Sequence, residues 1–317
     1  MATRPAHEQC YAHPVDAIAV NRLSKRYGTV TALDAISLHV PSGEMYGFLG
    51  PNGAGKTTAI RSLLGFIRPT SGNCQIFGHD CWKDGVRARG DLGFLVSTST
   101  LYPDMTGSAY LDHAARLAQQ SSTLRATLLT KLELDEAALG RKIGGYSKGM
   151  KQKLALIACM QSGPKLLILD EPTDGLDPLM QRAFEEIVHL LHARGTTIFM
   201  SSHDLGEVER VCQRVAIIRT GKIVAEAAID DLTARRQRMI EVTFSGPAPD
   251  WRETASGRVL ERSGNRLVIS SRGDTRQILM EMSARDDVSD ILVTRPSLEQ
   301  IFHEYYASPD GLERTNL

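Results

Sequence analysis

Gly50-Pro51-Asn52-Gly53-Ala54-Gly55-Lys56-Thr57 satisfies every fixed position of the pattern GxxxxGK(S/T). Its flanks supply the context that the pattern requires. Residues 45–49 form a short apolar run that reads as a buried strand. Residues 56–64 place Ala59, Ile60, Leu63 and Leu64 on one helical face before Gly65 stops the helix. A strand that hands over to a helix through a glycine-rich loop turns successive backbone N–H groups inward, beside the positive end of the helix dipole. Gly50, Gly53 and Gly55 permit that bend. The loop implies binding of a nucleoside triphosphate in a cradle that includes Pro51, Asn52, Ala54 and Thr58. Lys56 is expected to reach the β- and γ-phosphates, and Thr57 to offer its hydroxyl to Mg²⁺.

Composition bounds the surroundings of this loop. A chain of 317 residues with 42% hydrophobic content can bury a full core and add a second, smaller domain. Lys plus Arg and Asp plus Glu both number 37, so the balance carries none of the basic excess on which nucleic-acid binding leans. No apolar run reaches the ~18 residues of a membrane helix. Residues 1–14 have no apolar stretch of the secretory kind and read as a loose tail. Cys10, Cys74, Cys81, Cys159 and Cys212 form no CxxC pair and are odd in number, as expected of reduced thiols in a cytosolic protein.

Along the chain, residues 15–20, 37–40 and 45–49 read as strands, and together they suggest a mixed sheet edge leading into the phosphate loop. Residues 108–139 are rich in Ala and Leu without proline and read as an inserted helical subdomain spanning about 98–160. A strand at 165–169, a helix opening at Asp177-Pro178 and ending at Gly195, and a strand at 196–202 then alternate, which implies a parallel sheet covered on both faces. Residues 215–219 and 222–225, joined by Thr220-Gly221, resemble a hairpin. The pattern gives an α/β domain over 15–229, a polar linker at 230–238 and a small α+β domain over 239–317. In that last domain strands are expected at 240–244, 258–261, 267–270 and 288–293, and helices at 274–284 and 297–306.

Leu166-Leu167-Ile168-Leu169-Asp170-Glu171 is an apolar strand ending in two acids, at the strand end where open α/β sheets place ligands. Asp170 is expected to hold Mg²⁺ opposite Thr57. Glu171, one residue on, is expected to point the other way and to accept a proton from an attacking water. His203 follows the next strand near the same edge, where a contact with the γ-phosphate is favoured.

The order of phosphate loop, Tyr146-Ser147-Lys148-Gly149-Met150, the 166–171 strand, Asp174-Gly175-Leu176-Asp177 and Ser202-His203-Asp204 resembles an ABC-transporter ATPase subunit over residues 15 to about 225. The resemblance implies a P-loop NTPase core of mixed sheet and helical subdomain that hydrolyses ATP with Mg²⁺. It also implies that Ser147 and Gly149 belong to the signature motif, usually LSGGQ, in which Lys148 and Met150 here replace a glycine and the glutamine. Two such subunits dock head to tail in this family, each nucleotide lying between one phosphate loop and the other subunit's signature. A second copy or a homologous ATPase subunit is therefore an expected partner, with Asp177 at the interface and Tyr27 stacking on adenine. Leu92-Gly93-Phe94-Leu95-Val96-Ser97 departs from the family, since Ser97 stands where glutamine usually touches the metal and signals to the membrane subunit. Leu101-Tyr102-Pro103-Asp104-Met105-Thr106, the 146–150 signature and Pro296-Ser297-Leu298-Glu299-Gln300-Ile301-Phe302 resemble subunits paired with bacterial exporter permeases. The implied site is the cytoplasmic face of the inner membrane, with transmembrane permease subunits on other chains. The alternative reading is a soluble ABC-type ATPase that remodels a ribosome or DNA complex.

Overall fold

A computed structural model describes residues 16–95, 98–234, 238–251, 257–271 and 275–294. The tail expected at 1–14, Ser97 and the helix expected at 297–306 lie outside them. The chain divides into two units, Met1–Ala227 and Ala228–Leu317.

In the first unit, β1 (Asp16–Tyr27) and β2 (Val30–Pro41) pair antiparallel from Asp16 opposite Pro41 to Tyr27 opposite Val30. Both strands run well beyond the residues 15–20 and 37–40 expected to be extended. Register shifts at Val20/Leu23 and Leu23/Lys25 break the alternation by which the sequence pattern would have revealed them. Next come β3 (Met45–Leu49), α1 (Lys56–Leu63), β4 (Ser71–Ile76), β5 (His79–Asp80), α2 (Gly85–Ala88) and β6 (Leu92–Phe94). β4 and β5 join β1 and β2 in a sheet of their own, ordered β2-β1-β4-β5, in place of the expected edge on the main sheet.

The helical region holds α3 (Gly107–Ala118), α4 (Arg125–Lys131), α5 (Glu136–Leu139) and α6 (Lys148–Met160), and α6 packs on α3 and α4. The expected helical run at 108–139 is thus three pieces. The chain turns at Gln119 (φ 52°) and Glu133 (φ 51°), two left-handed positions filled by residues that carry no turn signal.

β7 (Leu166–Asp170), α7 (Pro178–Ala193), β8 (Thr197–Ser202), α8 (Leu205–Val211), β9 (Arg214–Arg219) and β10 (Lys222–Ala228) complete the unit. The main sheet is ordered β10-β9-β3-β8-β7-β6. β3 pairs parallel with β8 and β9, and β7 pairs parallel with β8 and β6. Every residue of β3 and β8 is buried, as expected for strands covered on both faces. Thr220 (φ 46°) and Gly221 (φ 79°) turn β9 into β10 with the two left-handed residues of a tight hairpin. Register places Leu49 opposite Ser202 and Asp170 opposite Ser201, so β3, β7 and β8 end at one edge.

The second unit holds α9 (Ile229–Ala234), β11 (Arg238–Phe244), β12 (Gly257–Ser263), β13 (Arg266–Ser271), α10 (Thr275–Ser283) and β14 (Val288–Thr294). Its sheet is ordered β12-β13-β11-β14, and its core brings Ile278 and Met282 of α10 onto Ile240, Val242, Leu267 and Ile269. The expected linker at 230–238 contains most of α9 and the first residue of β11. Asp230 and Asp231 stand in the first turn of that helix, where acids suit its dipole. Read for polarity alone, they had suggested a solvated connection.

The first unit's core centres on Phe199, fully buried, with its ring 5.8 Å from that of Tyr46 and 5.6 Å from that of Phe48. Phe199→Ala should cost about 3–5 kcal/mol through lost burial and a cavity. The check is the urea midpoint of the first unit, followed through Trp82 fluorescence in a Trp251→Phe background.

Candidate nucleotide site

The phosphate loop starts where β3 stops. Gly50 donates its amide to the Ser202 carbonyl at 3.3 Å, and a Cβ there would fall 2.4 Å from the Ile218 carbonyl oxygen, so only glycine fits between β9 and the loop. Gly55 caps α1 at φ 114°, a backbone that other residues rarely adopt. With no side-chain cap and no acid in the first turn, the leading amides of α1 are open to an anion. Pro51, Asn52, Gly53 and Thr57 are exposed around them, Thr58 is half-buried, and Ala54 is buried against the sheet. Lys56 is 5% exposed, and its Nζ donates to the Gly50 carbonyl at 2.6 Å.

Both acids at the end of β7, Asp170 and Glu171, face this loop. Thr57 Oγ1 donates to Asp170 Oδ2 at 3.0 Å, and Ser201 Oγ donates to Asp170 Oδ1 at 2.5 Å. Glu171 Oε1 lies 3.2 Å from Lys56 Nζ, and Glu171 Oε2 lies 3.0 Å from His203 Nδ1. The expectation that Glu171 points away from Asp170 needs correction. β7 ends at Asp170, and Glu171 is left-handed (φ 49°) with its amide donating to the Ser201 carbonyl at 3.2 Å. Strand alternation therefore stops one residue early, and the turn swings the carboxylate back to the loop. His203 stands one residue beyond β8 and is half exposed.

The other expected site residues engage partners outside the phosphate loop. Ser147 is the N-cap of α6, its Oγ accepting from the Met150 amide at 3.2 Å. A Cβ on Gly149 would meet only the Gly175 carbonyl oxygen, at an ordinary 3.5 Å. Asp177 caps α7 by accepting from the Leu179 and Met180 amides, both at 3.0 Å. Tyr27 ends β1 exposed, with Lys25 Nζ 5.0 Å from its ring centre. Sequence reasoning missed Ser201 and the pair between Lys148 and Asp174, whose charged atoms are 3.1 Å apart. A serine inside an apolar strand is the one signal that could have pointed to Ser201.

A glycine-rich loop with open amides, two acids and a histidine meet on one sheet edge, in a unit where Ser147 caps α6. A family profile described as ABC transporter matches residues 33–174. The bacitracin transport ATP-binding protein BcrA of Bacillus licheniformis is 37% identical over 232 residues, which cover 72% of this chain and 75% of that protein. The chain belongs to the ABC transporter family. It is an ATP-binding protein of that family, and its core is the family's ATPase fold. The Nod factor export ATP-binding protein I of Paraburkholderia xenovorans is 36% identical, over 74% of this chain and 79% of that one. A solved ATP-binding subunit of an ABC transporter is 32% identical, with a TM-score of 0.64 over 69% of this chain and 92% of its own. Among the described residues, no helix of this ABC protein is long and apolar enough to cross a membrane.

Behind the site lies Glu207, 3% exposed. Burial raises its carboxyl above the ordinary glutamate range. The hydroxyls of Ser202 and Thr173 oppose the shift, the first by donating to Oε2; Asp204 adds to it and Arg210 opposes it. A raised acid stabilises the fold fully below its unfolded pKa, and that contribution is lost as pH rises through the folded value. As pH rises above the ordinary glutamate pKa of about 4.3, the wild type should therefore lose stability relative to Glu207→Gln. Denaturation midpoints of the two proteins over rising pH provide the check, and a constant difference would contradict the shift.

Proposed function

We propose that this chain is the ATP-hydrolysing subunit of a bacterial exporter. It works as a head-to-tail pair on the cytoplasmic face of the inner membrane, against permease subunits on separate chains. The observation that carries the reading is Glu171, whose carboxylate meets Lys56 at 3.2 Å and His203 at 3.0 Å beside the Thr57–Asp170 contact. Relatives named for bacitracin transport, Nod factor export and daunorubicin resistance support export as the direction.

In the proposed mechanism Lys56 and the open amides of α1 hold the phosphates. The hydroxyl of Thr57 and the carboxylate of Asp170 are hard oxygen donors at one edge and suit Mg²⁺, which supplies charge neutralisation on the phosphate oxygens. Ser201 fixes the Asp170 carboxylate for that task. Glu171 takes a proton from the attacking water, and His203 orients Glu171 through Nδ1 while its other ring nitrogen meets the γ-phosphate. Ser147 and Gly149 of one subunit cover the nucleotide held by the other, with Asp177 at the interface. Nothing inside the subunit demands a glycine at 149, and close approach by a phosphate would. Tyr27 stacks on the base.

Glu171→Gln keeps the shape of the base and removes its proton affinity. With ATP the variant should run as a dimer in size exclusion while turnover falls by at least about 100-fold; a monomer with normal turnover would refute the assignment. Extraction of the wild type from membranes in detergent tests the transport side. A co-purifying multi-span chain is the expected outcome, and ribosomal or DNA partners would overturn it.

A further inference from the structure

Glu207 has no part in the mechanism above, yet it is buried directly behind it. It stands in the first turn of α8, where its amide donates to Asp204 Oδ1 at 3.1 Å. Ser202 Oγ donates to Glu207 Oε2 at 2.5 Å, and the Asp204 amide donates to the same Ser202 Oγ at 2.9 Å. Ser202 in turn touches the site on two sides. Its carbonyl accepts from the Gly50 amide at 3.3 Å, and the residue after it is His203, with Nδ1 on Glu171. Glu207 Oε1 is buried with no hydrogen-bond partner. An apolar side chain of similar volume would fill the space without stranding an oxygen, so a carboxyl here costs stability and calls for a return elsewhere.

We propose that Glu207 is a positioning residue for hydrolysis, fixing the Ser202-His203-Asp204 turn so that His203 stays on Glu171. This rests on the ATPase reading given above. The chain of contacts is short and entirely local: α8 holds Glu207, Glu207 holds the Ser202 hydroxyl, and Ser202 ends the strand whose next residue is His203. A misplaced catalytic group lowers the rate of the chemical step more than it lowers nucleotide affinity, because Lys56 and the α1 amides do not depend on the turn.

The test is steady-state ATP hydrolysis by the full chain carrying Glu207→Ala, Glu207→Gln, Ser202→Ala or the Ser202→Ala/Glu207→Ala pair. Glu207→Ala should lower kcat by about 10-fold or more with KM for ATP within about 2-fold of wild type. Glu207→Gln keeps an oxygen for the Ser202 hydroxyl and should return kcat to within about 3-fold of wild type. Ser202→Ala cuts the same tie from the other side, and the double variant should be no slower than the slower single one. A merely structural Glu207 would lower the unfolding midpoint and leave the kcat of the folded fraction unchanged, which overturns the proposal. So does a Ser202→Ala protein of wild-type kcat, and that variant decides the matter if Glu207→Ala does not fold. A wild-type chain that turns over no ATP would instead overturn the ATPase reading.

Discussion

The parallel register of β3, β8 and β7 is the constraint on which the rest of the site depends. Leu49 pairs opposite Ser202, and Asp170 pairs opposite Ser201, so three strands from distant parts of the sequence stop at one edge. Each then continues into chemistry: Gly50 opens the phosphate loop, Glu171 follows Asp170, and His203 follows Ser202. A slip of one residue in either pairing would turn the wrong faces of these strands to their helices. Packing forbids it, since β3 and β8 are buried throughout and Phe199 lies against both Tyr46 and Phe48. The hydrophobic core thereby aligns the polar edge without contributing an atom to it.

What could be read from the sequence follows how local each signal is. The phosphate loop was legible because its glycines, lysine and threonine are contiguous, and the structure opens the first turn of α1 as that spacing requires. The α7 start was legible for the same reason, since Asp177-Pro178 is a cap and first turn in two adjacent residues. β4 and β5 were not legible. β4 begins with three exposed residues before Cys74 and Ile76 are buried, β5 is only His79–Asp80, and pairing makes them strands, β4 with β1 and β5 with β4. The breaks at Gln119 and Glu133 escaped because the left-handed backbone there falls on residues other than glycine, with no turn signal to announce it. Of the candidate site, residue types were readable and directions were not. The turn at Glu171 and the Ser201 hydroxyl on Asp170 exist only once β7 and β8 are side by side.

The fold treats its charges unequally. The Lys148–Asp174 pair is largely exposed on both sides, and a pair of that kind contributes at most about 1 kcal/mol. Lys56 is different, because it is buried to 5% exposure and an unpaired ammonium there would be costly. Its partners are the Gly50 carbonyl and the Glu171 carboxylate, both belonging to the site itself. The protein thus places its one buried lysine among the described residues where a more highly charged anion can compete for it.

That competition gives the proposed mechanism an order of events. Glu171 Oε1 cannot both face Lys56 Nζ at 3.2 Å and accept a proton from an attacking water. A triphosphate brings more negative charge to Lys56 than one carboxylate does, and it approaches along the open amides of α1. As Lys56 turns to the phosphates, Oε1 of Glu171 is freed to face a water while the His203 contact at Oε2 keeps the carboxylate in place. Hydrolytic competence then follows nucleotide binding through the redistribution of a single charge, and the loop need not change shape for it.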